Sequence, residues 1–208
     1  MYHRTISLLF PTDTASGRLT SITVSTLTAA QHRGIAQKYD LTHDPDGFNY
    51  ADFEFDIALA MSSLSADALL QLAQPDYNSL MEEVRTLSNK TSRQLLEDDY
   101  ASRRKAGENP SPLLFDENTP SLLVPVDDPI AGQVNSYTLR PPSVGLTRQV
   151  RGEKDAHRQG MLIASACSGL HHDVIDQFHV PDFNYLMERV RDFLTETSDF
   201  FLKPTSTG

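Results

Sequence analysis

The stretch PDYNSLMEEVR, starting at Pro75, returns as PDFNYLMERVR at Pro181, 106 positions later. Continued without a gap, the match pairs residues 57–87 with 163–193, and 15 of those 31 positions are identical. Where packing would demand it the differences are conservative, as in Leu69/Ile175, Leu72/Phe178 and Tyr77/Phe183. Upstream, SLLFPTD (7–13) matches SLLVPVD (121–127) at an offset of 114, and GRLTSITV (17–24) matches GQVNSYTL (132–139) at 115. The return to 106 places nine extra residues in the first copy, within DLTHDPDGFNYAD (40–52). A chain written this way is expected to fold as one unit made twice. The copies span 1–88 and 119–202, separated by a charged, Pro-containing linker (89–118) and followed by a loose tail (203–208).

Each copy carries the same local signals. An apolar run ending in Pro11 or Pro125, a polar turn with Gly17 or Gly132, and an alternating run such as VNSYTLR predict a β-hairpin. Proline lacks an N–H, so both prolines suit a strand end or edge. Helical spacing follows. HRQGMLIASAC predicts a helix that Gly169 closes, and Ser63 in the first copy predicts a different ending there. The quoted segment then opens a long helix. Pro181 fits its first position, Asp182 complements its positive end, and Phe183, Leu186, Met187, Val190, Phe193 and Leu194 form one apolar stripe. The fold class is therefore α+β: two tandem modules, each a β-hairpin followed by a small helical bundle. In the linker, helix is expected up to Lys105, and Gly107, Pro110, Pro112 and Pro120 predict extended chain beyond it.

The charge balance narrows the partners. With 18 Lys and Arg against 28 Asp and Glu, the chain carries −10, and no segment forms a basic patch. Nucleic-acid binding, which needs clustered cations against phosphate, is not expected. The lone Cys167 allows no internal disulfide and fits a reducing cytosol. No apolar run approaches the roughly 18 residues of a membrane span, and the N-terminal stretch has no signal-like core. A soluble, cytosolic protein is the expectation.

Catalytic and metal chemistry find little support. GLHHDVIDQFHV gathers His171, His172, Asp173, Asp176 and His179, with His172 and Asp176 one helical turn apart. The first copy has Ser65, Ala66, Asp67, Leu70 and Ala73 in those places, so a solvated helix start is expected and no metal site is assigned. Asp44, Asp46 and Gly47 sit in an acidic stretch whose Gly and Glu are misplaced for a calcium loop. Cys167 lies in an apolar helix, as a small buried hydrophobe would. No catalytic residue and no cofactor is expected. Two sticky clusters remain: Leu113, Leu114 and Phe115 between prolines, and Phe200 with Phe201 beside the last helix. Either they fold onto their own domain or they are offered to another chain.

Taken together, TLRPP (138–142), the helix end SGL (168–170) and PDFNYLMERVRDFL (181–194) resemble the tail assembly chaperones of tailed bacteriophages. The resemblance rests on Thr138, Leu139, Arg140 and Pro142 at the strand end, Gly169 and Leu170 at the helix end, and Asp182, Phe183, Leu186, Val190, Phe193 and Leu194 in the last helix. The first copy departs from it at Ser25, Ser63 and Leu87. Members are commonly half this length, with a single copy. The resemblance implies a non-enzymatic protein that binds the tape-measure protein, keeps it soluble and brings tail-tube subunits to it. Such a protein works in the host cytoplasm and is absent from the finished virion. Self-association of the modules is compatible with this role. The alternative is a structural virion part of the same fold, a tail-completion or baseplate component.

Overall fold

In a computed structural model of the chain, residues 1–15, 17–42, 44 and 46–202 are described; the tail expected at 203–208 lies outside them. The element order is β1 (His3–Thr14), β2 (Gly17–Ser25), α1 (Ala29–Ala36), α2 (Phe48–Ser62), α3 (Ala66–Leu70), α4 (Gln74–Asn89) and α5 (Ser92–Lys105), then β3 (Ser121–Asp128), β4 (Gly132–Ser136), α6 (Val144–Val150), α7 (Ala156–Ser168), α8 (His172–Ile175), α9 (Val180–Thr195) and α10 (Ser198–Leu202). Two separate two-stranded antiparallel sheets, β1–β2 and β3–β4, each precede a set of helices. The architecture is mixed α+β.

The hairpins share one irregularity. Between the pairs Ser7–Ser21 and Thr12–Leu19, four residues of β1 stand opposite the single Thr20. Between Ser121–Ser136 and Val126–Val134, four residues of β3 stand opposite Asn135. Such a bulge turns backbone N–H groups away from the partner strand, and they need acceptors elsewhere. The repeated aspartate supplies them. Asp76 accepts from the N–H groups of Leu9 (2.8 Å) and Phe10 (2.9 Å), and Asp182 from those of Leu123 (2.9 Å) and Val124 (3.2 Å). Pro11 and Pro125 close the two bulges, where a missing N–H costs nothing. Asp76 and Asp182 do sit in the first turns of α4 and α9, with Pro75 and Pro181 beside them, as the helix-start reading expects. Their larger task is to tie each helix to its strand. Burial pushes the Asp182 carboxyl up to about 6, against the lowering effect of the bonds from Leu123, Val124 and Ser92.

The helix ends before α3 and α8 also agree bond for bond. Ser62 Oγ donates to the Ala58 carbonyl (2.6 Å) and accepts from the Leu64 N–H (3.4 Å). Ser168 Oγ repeats this with Ala164 (2.7 Å) and Leu170 (3.3 Å). Gly169 closes α7 at φ 72°, and Ser63 closes α2 at φ 56°. The different ending expected from the Gly-to-Ser change is not found. The serine accepts the left-handed conformation, at a cost of about 1 kcal/mol, because the flanking hydrogen bonds fix the turn. The alternating run after Gly132 is also shorter than expected: β4 stops at Ser136. Tyr137 and Leu139 instead donate to the Pro120 (3.2 Å) and Asn118 (2.7 Å) carbonyls, and Arg140 to that of Cys167 (2.9 Å).

Each half has its own core. Ile22, Val24, Ile57, Leu69, Leu80 and Leu87 center the first; Tyr137, Ile175, Phe178, Leu186 and Val190 center the second. The halves are joined by a junction. The N–H groups of Ala29 and Ala30 donate to the carbonyls of Phe178 (2.7 Å) and Asp176 (3.1 Å), and the Val180 N–H donates to Leu27 (2.9 Å). Arg33 meets Asp176 through two bonds of 2.8 and 2.9 Å. Asn184 donates to the Ser88 (3.0 Å) and Lys90 (3.2 Å) carbonyls, while Leu123 packs on the first core. Helix α9 thus lies against both α4 and α5. This is why its buried side includes Tyr185 and Arg189, beyond the expected stripe, while Leu194 is exposed. Among the described residues no helix is long and apolar enough to cross a membrane.

Two outcomes follow for stability. Asp182→Ala strands two N–H groups in the interior and is expected to cost about 3 kcal/mol in urea unfolding. Asp76→Ala is expected to cost less, because the Leu9 and Phe10 backbone lies in an exposed stretch that water can reach. Equal losses would show that the clamps are not graded by burial. At the junction, buried His179 holds the Thr26 hydroxyl at Nδ1 (2.7 Å), and burial lowers its affinity for a proton below that of an ordinary histidine at 6.5. The unfolded chain therefore takes up the proton first, and stability should fall as pH drops below 6.5. His179→Asn, whose Oδ1 approximates Nδ1, should flatten part of that fall; identical pH profiles for the two proteins would refute this assignment.

Candidate partner-binding surface

Helix α9 carries Arg189 and Phe193 on one side of its last turns, and α10 folds back over them. Phe201 stacks on Phe193 with ring centers 5.4 Å apart, and Phe200 meets Phe201 edge-on at 5.1 Å. The Arg189 guanidinium lies over both Phe193 (5.6 Å) and Phe201 (5.7 Å), as a cation over aromatic faces does. It also binds Asp192 (3.0 Å) and Glu117 (3.3 Å). Its Nε is buried and has no hydrogen-bond partner.

Glu117 extends this network into the segment between the halves. Its second oxygen accepts from Arg93 of α5 at 2.8 Å, and Arg93 also binds Glu97 (3.0 Å) and lies 5.1 Å over Phe115. The Arg93–Glu117–Arg189 chain therefore links the two clusters singled out in the sequence: Phe115 at one end, Phe201 at the other. Leu113 and Phe115 are half-buried, Leu114 is 93% exposed, and Phe200 and Phe201 are each 39% exposed. The arrangement holds apolar groups partly in water on a scaffold of charge pairs. Sequence reasoning passed over Arg93, Glu117 and Arg189. A signal existed for one of them, since Arg189 replaces Glu83 of the first copy on the face of α9 that the junction buries.

The other candidates separate. His171, His172 and Asp173 bring their ligand atoms within 4.8 Å of one another, all exposed. Asp176 is taken by Arg33 and His179 by Thr26, so the five residues do not converge. In the acidic stretch, Asp44 accepts from the Tyr50 N–H at 2.8 Å, Glu54 pairs with Arg85 at 2.6 Å, and Asp56 accepts from Tyr39 at 2.8 Å. Cys167 is buried in the second core, and that burial pushes its thiol up to about 11. An open cleft of about 700 Å³ between β1, α4 and α5 is lined by Arg4, Lys90, Glu83, Asp98 and Asp99. Arg4 pairs with Glu83 (3.2 Å) and Asp99 (2.6 Å), and Lys90 pairs with Asp98.

Residues 132–195 match the family of phage tail assembly chaperone proteins, E, or 41 or 14. The matched part lies within the second half of the chain and is similar to that family. The matched segment runs from the start of β4 to the end of α9, so it contains the strand end, the Gly169 turn and the Asp182 helix. No curated protein and no solved structure matches the chain. Most of the motif residues of the matched segment are explained by the fold: Leu139, Leu186 and Val190 by the core, Gly169 by its left-handed turn, Asp182 by the clamp. Phe193 alone among them also reaches the aromatic surface.

Arg189→Ala removes the cation that holds α10 and is expected to cost roughly 3 kcal/mol and to speed chymotryptic cleavage at Phe200 and Phe201. Leu114→Ser should change stability by less than about 0.5 kcal/mol. Unchanged cleavage in the Arg189 variant would mean that α10 is held by other contacts.

Proposed function

We propose that this chain is a phage tail assembly chaperone that binds the tape-measure protein, keeps it soluble and helps recruit tail-tube subunits around it. The observation that carries this reading is the family match over residues 132–195. Two features support the finer role. A long, aggregation-prone partner offers apolar helix faces, and the Leu113–Phe115 and Phe200–Phe201 clusters form an apolar surface with polar edges that such faces fit. The repeated clamp, bulge and helix-end bonds support reading residues 1–88 as a second module of the same kind, so that one chain brings two binding units together. The protein acts in the host cytoplasm during assembly and leaves before the virion is complete.

Co-expression of the full chain with the tape-measure protein of its phage tests this. The expected result is a soluble tape-measure protein that co-purifies with the chain, and its loss with the Leu114→Ser/Phe200→Ser variant, whose own folding is unchanged. A tape-measure protein that stays insoluble and unbound overturns the proposal. Retention by the double variant would place the contact on another surface.

A further inference from the structure

The junction between the halves is one-directional. The start of α1 in the first half sits on the α8–α9 turn of the second, through the Ala29–Phe178, Ala30–Asp176 and Leu27–Val180 bonds. Position by position, the counterpart of α1 is α6, with Thr28 and Ser143 as equivalent N-caps, and the counterpart of the α8–α9 turn is the α3–α4 turn. Among the described residues no backbone hydrogen bond joins those two counterparts. Ala29 is 6% exposed, whereas Val144 in its place is 75% exposed. Asp176 is half-buried against Arg33, whereas Leu70 in its place is 72% exposed. Pro181 is buried, whereas the identical Pro75 is exposed. The same contrast separates Leu123, packed on the first core, from Leu9, which is 75% exposed.

A surface that one half buries is thus left bare on the other, and its partner surface is left bare at the opposite end. The charges are kept only in part, since Leu70 stands in the place of Asp176. Arg148 takes the place of Arg33, and Asp67 lies one turn before Leu70 on α3. The end of the chain continues the pattern. Ser92 of α5 bonds to Asp182 across the junction, and TSDFFL (197–202) stands where TSRQLL (91–96) stands in the first half, with Ser198 in the place of Ser92.

We propose that a second copy of this chain docks head to tail onto the first, its α6 end around Val144 seated on the α3–α4 turn around Leu70, repeating between chains the junction made within one. The occupant is another copy because the α6 end is the counterpart of the α1 start, which already fits the α8–α9 turn. An interface of this kind uses two different patches, so each added copy leaves one of each free. Such contacts close into a ring or run on as a helical file. The inference rests on the correspondence of the two halves and not on the identity of the tape-measure partner.

Sedimentation velocity of the purified full chain, without any partner, tests it separately from the chaperone assay. The expected result is association that grows with concentration. Leu70→Lys, which sets a cation against Arg148, and Val144→Asp, both at exposed positions, should each sediment as monomer. An equimolar mixture of the two should form a dimer and nothing larger, because each variant retains the patch that the other lacks. A wild-type chain that stays monomeric at every loading overturns the proposal. So does association that survives in both single variants, or a mixture that remains monomeric.

Discussion

A carboxylate with two backbone N–H groups on it holds each half together. The bulge in β1 or β3 leaves consecutive amides facing inward, and no strand is there to receive them. Asp76 or Asp182 reaches across from the first turn of a helix and takes both. This single contact fixes the helix against the hairpin in position and in angle. It also accounts for the proline that ends each bulge, since the next amide is not needed. The rest of each core packs on the frame so defined: Ile22, Val24 and Leu80 in one half, Val134, Tyr137 and Leu186 in the other. A charge-assisted pair of this kind is stronger than two neutral bonds, and its worth is greater where water is kept out.

The fold class and the places of the hairpins and the long helices were legible in the sequence because they depend on short-range signals: apolar periodicity, proline at a helix start, glycine at a turn. The clamp was only half legible. The repetition of Asp76 and Asp182 was plain, and a favorable charge at the helix start explains it locally, but the bond to a strand more than fifty residues away is a tertiary fact. Ser63 misled for the converse reason. Its side chain disfavors the left-handed turn, and the surrounding hydrogen bonds override that preference. The buried side of α9 is wider than its apolar stripe because α5 covers a second face.

The candidate surface shows the same division. Leu113, Leu114, Phe115, Phe200 and Phe201 could be noticed as apolar residues in polar or Pro-rich company. What joins them could not, since Arg93, Glu117 and Arg189 come from three separate segments and look in sequence like ordinary surface charges. Arg189 is the center of that arrangement. Buried charge is costly unless it is paired and stacked, and here two carboxylates and two aromatic faces surround the guanidinium. The small helix α10 meets that side chain and Phe193 through Phe201.

The course of α5 has a consequence for how the protein can be divided. Although it follows the first half in sequence, its Ser92 bonds to Asp182 and its Arg93 reaches Glu117, so it serves as a shared wall between the two cores. A protease cut in the segment after Lys105 would leave the wall attached to one half and strip it from the other. The halves are then neither independent domains on a tether nor a single undivided core. They resemble two subunits of an obligate pair whose encounter is guaranteed by covalent linkage, and heat or denaturant should take them apart in one cooperative event.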